Sequence, residues 1–305
     1  MQKDFLSIAD LTPDEVHHLL NLGHELKEKQ KRGDIYQPLA GKSLGLVFMK
    51  PSMRTRISFD VGMYQLGGQA LYLSHNEIGL GDRESIPDVA RVLSRFLDGI
   101  MARLFAHQDL VDLAEWASIP VINGLTDMLH PCQILADMQT IIEHFGRSED
   151  IHVAYVGDGN NVFHSWLNLA AKLPFKLSIG CPEGYDPDPE IVDYARKAGV
   201  SEIVHCRSAE EAVENADVIY TDVWASMGQE DEAAHRAEIF APFQVNDALF
   251  KGANQDAIFL HCLPAHRGDE VTDSVMDGER SLVFDQAENR LHVQKAILHE
   301  FMKQA

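Results

Sequence analysis

The sequence is short of cysteine: only four residues, Cys132, Cys181, Cys206 and Cys262, in a chain of 305, with no CxxC spacing. A disulfide framework or a zinc motif is not expected, and a reduced, cytoplasmic setting is. Proline and glycine are sparse too, 12 and 21 residues, and no internal repeat, low-complexity run or Gly/Ser linker interrupts the chain. No stretch reaches the roughly 20 apolar residues of a membrane span. The opening Met1-Gln2-Lys3-Asp4-Phe5 has no basic region ahead of an apolar run, so neither a signal nor a transit peptide is expected. Positive charge is scarce: 26 Lys and Arg against 47 Asp and Glu, a net charge of -21. That balance argues against nucleic acid and anionic membranes as partners. An anionic substrate would have to be attracted by a local arginine cluster.

What is present is an ordinary globular composition, 45% hydrophobic and 24% charged. The length suits two domains of roughly 150 residues each. Thr12-Pro13-Asp14-Glu15 caps a first helix, with Val16, Leu19, Leu20, Leu22 and Leu26 at helical spacing. Strand-like runs follow at 43–49, 69–73, 99–104 and 120–123, with helical patterns after Ser52, at 86–97 and at 131–145, and a polar loop at 74–84. After Gly146 the rhythm repeats: strands at 151–156, 176–180, 202–205, 218–222 and 257–261, helices at 161–173, 190–198 and 209–215. This alternation predicts an α/β fold of two domains, each a mostly parallel sheet flanked by helices. The expected division is 1–147 and 148–288, with 289–305 a terminal helix packing back on the first domain.

In open parallel sheets ligands sit at the carboxyl ends of strands, and the chemically informative residues do follow strands. Ser52-Met53-Arg54-Thr55-Arg56 opens a helix, where unpaired N–H groups, hydroxyls and guanidinium groups suit phosphate; a capped helix with solvated arginines is the plain alternative. His130-Pro131-Cys132-Gln133 also opens a helix, and His130 and Gln133 could grip a small carbonyl or amide, or merely cap. His261-Cys262-Leu263-Pro264 follows a strand. Neighbours in a strand point oppositely, so a Cys–His nucleophile is a weak case beside a buried thiol with backbone carbonyls turned toward a ligand. Gly157-Asp158-Gly159-Asn160-Asn161 imitates a dinucleotide fingerprint, but Val162 stands where the third glycine belongs and no acidic residue closes the next strand. The asparagines at this helix mouth could instead hold a small polar ligand such as an amino-acid carboxylate. Asp222-Val223-Trp224-Ala225-Ser226-Met227-Gly228 offers a carboxylate for an ammonium group, or an ordinary Asx turn.

Together these segments resemble the aspartate/ornithine carbamoyltransferase family along nearly the whole chain, from Asp4 to Met302. The motifs are Ser52-x-Arg54-Thr55-Arg56, His130-Pro131-x-Gln133, Asp222-x-x-x-Ser226-Met227-Gly228, His261-Cys262-Leu263-Pro264 and Arg267-Gly268-x-Glu270-Val271; the third and fourth resemble the ornithine branch. The resemblance implies transfer of a carbamoyl group from carbamoyl phosphate to the δ-amine of L-ornithine, giving citrulline and phosphate, in arginine metabolism. It implies that residues 1–147 bind carbamoyl phosphate and 148–288 bind ornithine. Ser52, Met53 through its backbone, Arg54 and Thr55 would hold the phosphate, with Arg103 bridging phosphate and carbonyl oxygen. His130 would polarise the carbonyl and Gln133 hold the amide, helped by the carbonyls of Cys262 and Leu263, with Arg290 near the reacting carbon. Asn161, Asp222, Ser226 and Met227 would hold ornithine, and Cys262 would lie by its δ-amine. Arg103, His130, Cys262 and Arg290 are the implied catalytic set. No metal or organic cofactor is implied, and the family's trimer implies a homotrimer or a multiple of trimers. A loop residue crosses to a neighbouring subunit in the family. Gly79 aligns with it here, leaving His75 or Arg83 as candidates. Alternatives are a putrescine or N-acylornithine carbamoyltransferase, a non-catalytic binding protein of the same fold, and a nicotinamide oxidoreductase.

Overall fold

The computed structural model describes residues 1–81, 83–225 and 232–303. The chain forms two compact units, Met1–Gln139 with Glu288–Ala305, and Thr140–Ala287. The first begins α1 (Pro13–Arg32), β1 (Ser43–Phe48), α2 (Met53–Gln65), β2 (Gln69–Ser74), α3 (His75–Ile78) and α4 (Ile86–Phe96). It continues with β3 (Gly99–Arg103), α5 (His107–Trp116), β4 (Val121–Leu125) and the start of α6 (Pro131–Phe145). The second carries β5 (His152–Val156), α7 (Asn161–Ala170), β6 (Lys176–Gly180), α8 (Pro189–Ala198), β7 (Glu202–Cys206), α9 (Ala209–Val213) and β8 (Val218–Thr221). After α10 (Ala233–Phe240), α11 (Asp247–Phe250), β9 (Ile258–His261) and α12 (Asp273–Met276), α13 (Val283–Met302) leads the chain back into the first unit.

Both sheets are parallel, in the orders β2-β1-β3-β4 and β7-β6-β5-β8-β9. The expected α/β class with two sheets is what the chain adopts. Central strands such as β3 and β5 are buried along their whole length, as strands covered on both faces must be, which is why they read as continuous apolar runs. In the first unit Ile100, Ala102, Leu110, Leu113 and Val121 share one core; in the second Val156, Ile219, Phe240, Val245 and Phe259 share another.

Several boundaries depart from expectation. The division falls at 139/140, inside α6, rather than near 146–150, and the last helix starts at Val283, not 289. From Glu288 on, α13 belongs to the first unit and is fixed there by polar contacts: Lys27 Nζ donates to Asn289 Oδ1 at 2.7 Å, and Lys295 Nζ donates to Gln30 and Gln65 at 2.7 and 2.9 Å. The segment read as a polar loop holds the short α3, closed at Gly79 with φ 57°. Helix α5 had no sequence reading. Its N-cap is Ala106, which offers no side-chain bond, so no capping signal marks its start. By contrast, α1 carries a full capping box between Thr12 and Glu15.

Candidate functional site

Each unit builds a cluster at the carboxyl ends of its strands. In the first, β1 runs out at Phe48 and Ser52 caps α2, its Oγ accepting from Thr55 N at 3.3 Å and donating to Thr55 Oγ1 at 3.1 Å. Thr55 is wholly buried, and two arginines converge on its hydroxyl: Arg290 Nη2 donates at 2.8 Å and Arg103 Nη1 at 3.5 Å. Arg103 ends β3 and Arg290 stands in α13, 235 residues beyond Thr55, so side chains remote in sequence meet on one oxygen. Met53 is 68% exposed, which leaves its backbone rather than its side chain as the useful group. Arg56, the second cation of the motif, turns away and stacks on Tyr72 at 4.0 Å. There the plain structural reading holds.

His130 and Gln133 sit buried at the start of α6. Burial holds the His130 imidazole well below its ordinary pKa, and Arg290, Arg103 and Arg54 push it further down. The ring is therefore neutral at pH 7, and the three guanidinium groups act on it together: the site is strongly positive inside a chain of charge -21. Gln133 Nε2 donates to Asp137 Oδ1 at 2.8 Å, while its buried Oε1 has no protein donor. Cys132 donates to the carbonyl of Asn123, and burial lifts its thiol to about 12, so it is inert packing.

The second unit's cluster is built of acid, amide and thiol. Asp222, directly after β8, accepts from Cys262 Sγ at 2.9 Å, from Asn160 Nδ2 at 3.0 Å and from Val223 N at 2.8 Å. Asn160, not Asn161, caps α7, accepting from Val162 N at 2.9 Å. Asn161 is the helix's first residue, half-buried beside it. Beneath them Tyr155 and Tyr220 are paired across β5 and β8 and stack at 5.6 Å, with Tyr155 Oη donating to Asn160 Oδ1 at 3.2 Å. His261 lies behind the thiol. Its Nδ1 accepts from Leu263 N at 2.8 Å and its Nε2 faces Glu270 Oε1 at 3.2 Å. Both ring nitrogens are engaged, so His261 is not poised as a base for Cys262. That bond also supports Leu263 in a left-handed conformation, φ 59°, which costs about 1 kcal/mol for a residue with a Cβ. Asp222, His261 and Cys262 lie close enough to hold a cation between them, but His261 is committed to Leu263 and Glu270.

Two residues outside the implied set hold this cluster. The resemblance implies Asn161 alone, and a helix opening does not say which of two neighbouring asparagines caps. Arg236 is buried, and its Nη1 donates to Asp158 Oδ2 at 2.8 Å and to the Trp224 carbonyl at 2.9 Å. It neutralises the second residue of the glycine-rich turn. Burial still raises the Asp158 pKa, with Arg236 opposing that rise. Ser226 and Met227 lie outside the described residues. His75 and Arg83, the loop candidates, are both exposed, with His75 Nδ1 3.3 Å from Met49 Sδ.

Comparison with known proteins agrees in both halves. Residues 3–143 match the profile described as aspartate/ornithine carbamoyltransferase, carbamoyl-P binding domain, and residues 149–301 its Asp/Orn binding domain. A protein from Syntrophus aciditrophicus named ornithine carbamoyltransferase is 56% identical over 298 residues, covering 98% of this chain and 99% of its own. An anabolic ornithine carbamoyltransferase from Pseudomonas aeruginosa is 51% identical, covering 99% of this chain and 98% of its own. The solved structure of ornithine carbamoyltransferase from Pyrococcus furiosus superposes with a TM-score of 0.95 at 50% identity, over 98% of this chain and 96% of that one.

Proposed function

The chain belongs to the aspartate/ornithine carbamoyltransferase family, and we propose on that premise that it moves the carbamoyl group of carbamoyl phosphate to the δ-amine of L-ornithine. The observation that carries this reading is the buried positive focus around Thr55 and His130. Three arginines serve a neutral imidazole in an otherwise acidic chain, an arrangement suited to a small phosphorylated carbonyl compound.

In this reading the first unit takes carbamoyl phosphate. The N–H groups at the start of α2, with Ser52, the Met53 backbone, Arg54 and Thr55, receive the phosphate. Arg103 and Arg290 lie along the bond to be broken, and neutral His130 donates to the carbonyl oxygen. Gln133 Oε1, buried without a protein donor, accepts from the carbamoyl amide, with the Cys262 and Leu263 carbonyls as further acceptors. The second unit takes ornithine. Asp222 pairs with its α-ammonium group and Asn161 with its carboxylate, Ser226 and Met227 adding to that grip, while Cys262 lies by the δ-amine. That amine resembles lysine, with a pKa of about 10.4, and must shed its proton before attack. The nitrogen lone pair then adds to the carbamoyl carbon, negative charge grows on the oxygen facing Arg103, His130 and Thr55, and the C–O bond breaks to release phosphate. The nucleophile is the substrate's own, so no side chain is acylated and the reaction requires neither metal nor organic cofactor. Positioning and fixed positive charge supply the rate.

A homotrimer, or a multiple of trimers, fits the exposed apolar side chains of Met53, Ile57 and Tyr64 on α2 and Leu71 on edge strand β2, with His75 or Arg83 reaching a neighbouring site. Four free cysteines fit a cytoplasmic enzyme, and no described helix is long and apolar enough to cross a membrane. The named anabolic relative favours arginine biosynthesis as the direction.

Citrulline formation from carbamoyl phosphate tests this, with putrescine and N-acetylornithine as controls and Arg54→Ala alongside. Product from ornithine alone, strongly reduced in the variant, is expected. Turnover of a control amine instead would overturn the Asp222 assignment, and no turnover of any amine would point to a binding protein of the same fold.

A further inference from the structure

Beside the second cluster but sharing no side chain with it, the ends of β6 and β7 bring together three side chains with no role in the proposed reaction. Cys181 follows β6, His205 lies in β7, and Asp186 sits in the loop between β6 and α8. Cys181 Sγ is 3.1 Å from His205 Nε2, and that nitrogen is 3.1 Å from Asp186 Oδ1; all three atoms lie within 4.8 Å of one another. Thiolate, imidazole and carboxylate ligands at 2.0–2.3 Å from a tetrahedral ion stand roughly 3.3–3.6 Å apart, so both contacts of His205 Nε2 already lie near the spacing of such a shell. We propose that Cys181, Asp186 and His205 form a binding site for a thiophilic divalent cation of the zinc class.

The frame is preorganised. Gly180 and Cys206 are in register on adjacent strands, and Cys181 N donates to Cys206 O. The loop carrying Asp186 is pinned at its far end, where Asp188 N donates to His164 Nε2 at 2.9 Å. It is also pressed against Gly159, where an added Cβ would stand 2.3 Å from Pro187 N, and Gly159 N donates to Tyr185 O. Arg207 occupies the cation's place: its Nη1 is 2.7 Å from Asp186 Oδ1 and 3.7 Å from Cys181 Sγ. The same Nη1 donates to the Pro182 carbonyl at 3.5 Å, and the side chain is 53% exposed, so solvent can take over these contacts when a cation displaces it. A dication entering as Arg207 leaves, with the Cys181 thiol giving its proton to solvent, keeps the local charge balanced. Sulfur and nitrogen ligands select zinc-like ions over calcium or magnesium. The spacings 181, 186 and 205 match no zinc motif, so only the sheet register brings them together.

Cobalt(II) titration followed by the thiolate-to-cobalt charge-transfer band tests the site, with Cys262→Ser as the background so that the other thiol near Asp222 contributes nothing. A band is expected in that chain and its loss on adding Cys181→Ser. His205→Gln and Asp186→Asn should each weaken binding about tenfold or more, and Arg207→Ala should tighten it. A band that survives Cys181→Ser, or none in the Cys262→Ser chain, overturns the proposal. Should the Cys181→Ser chain fail to fold, unchanged affinity in the partly exposed His205→Gln variant overturns it equally.

Discussion

The first unit's cluster and the second's solve opposite electrostatic problems on the same kind of scaffold. Both stand where parallel strands end and helices begin, yet one gathers arginines around a hydroxyl and a neutral histidine, and the other gathers an acid, two amides and a thiol. In the first, the helix opening supplies partial positive charge and Arg103 and Arg290 add to it, so dipole and side chains act together. In the second, Asp222 is itself an anion near the opening of α7, and Asn160 both caps that helix and binds the carboxylate. The lesson is that a helix N-terminus does not decide what binds; the side chains brought in from other strands decide it.

Substitutions can break that contrast. The largest effect is expected in the cationic cluster: Arg290→Ala or Arg103→Ala should lower kcat by about 10²–10³, as for loss of an oxyanion donor. Steady-state kinetics check this, and a loss expressed only in the KM for ornithine would contradict the division of labour. Next, Asp222→Asn should raise the ornithine KM by about 10–100-fold, the size of one buried charged hydrogen bond at 1.5–3 kcal/mol. Calorimetry should find carbamoyl phosphate binding unchanged; equal weakening of both substrates would erase the distinction between the clusters.

A pH effect follows from another histidine of the first unit. Burial holds His292 at about 4, well below its ordinary 6.5. The unfolded chain therefore takes the proton first as pH falls, so this stability is full above about 6.5 and is lost between there and about 4. The loss is on the order of 2 kcal/mol. Chemical denaturation at pH 7 and pH 5 should show a smaller drop for His292→Gln than for the parent chain. The smallest effects compare two caps. Thr12→Ala and Asn160→Ala should each cost about 1 kcal/mol of stability, measured by thermal unfolding. Only Asn160→Ala should also impair ornithine use, because only that cap also binds Asp222. Equal activity in the two would leave Asn160 a cap and nothing more.

Legibility in the sequence followed how local each signal was. Helices with capping residues, such as α1 and α2, could be read from neighbouring positions, whereas α5, capped by Ala106, could not. The cluster motifs could be found one by one, and the family pattern joined them. Nothing in the local pattern distinguished Arg54 from Arg56, one acting on His130 and the other stacked on Tyr72. The bonds of Asn160 and Arg236 were not legible because their partners, Asp222 and Asp158, lie 62 and 78 residues away.

By itself the sequence determined the class of fold, the two parallel sheets and the segments that carry chemistry, because apolar periodicity and capping residues act over a few positions. The tertiary structure alone decided which arginines converge on Thr55, which asparagine meets Asp222 and that Cys181, Asp186 and His205 share one corner. Those outcomes depend on strand order and register, which set distances between residues remote in the chain and which no local pattern encodes.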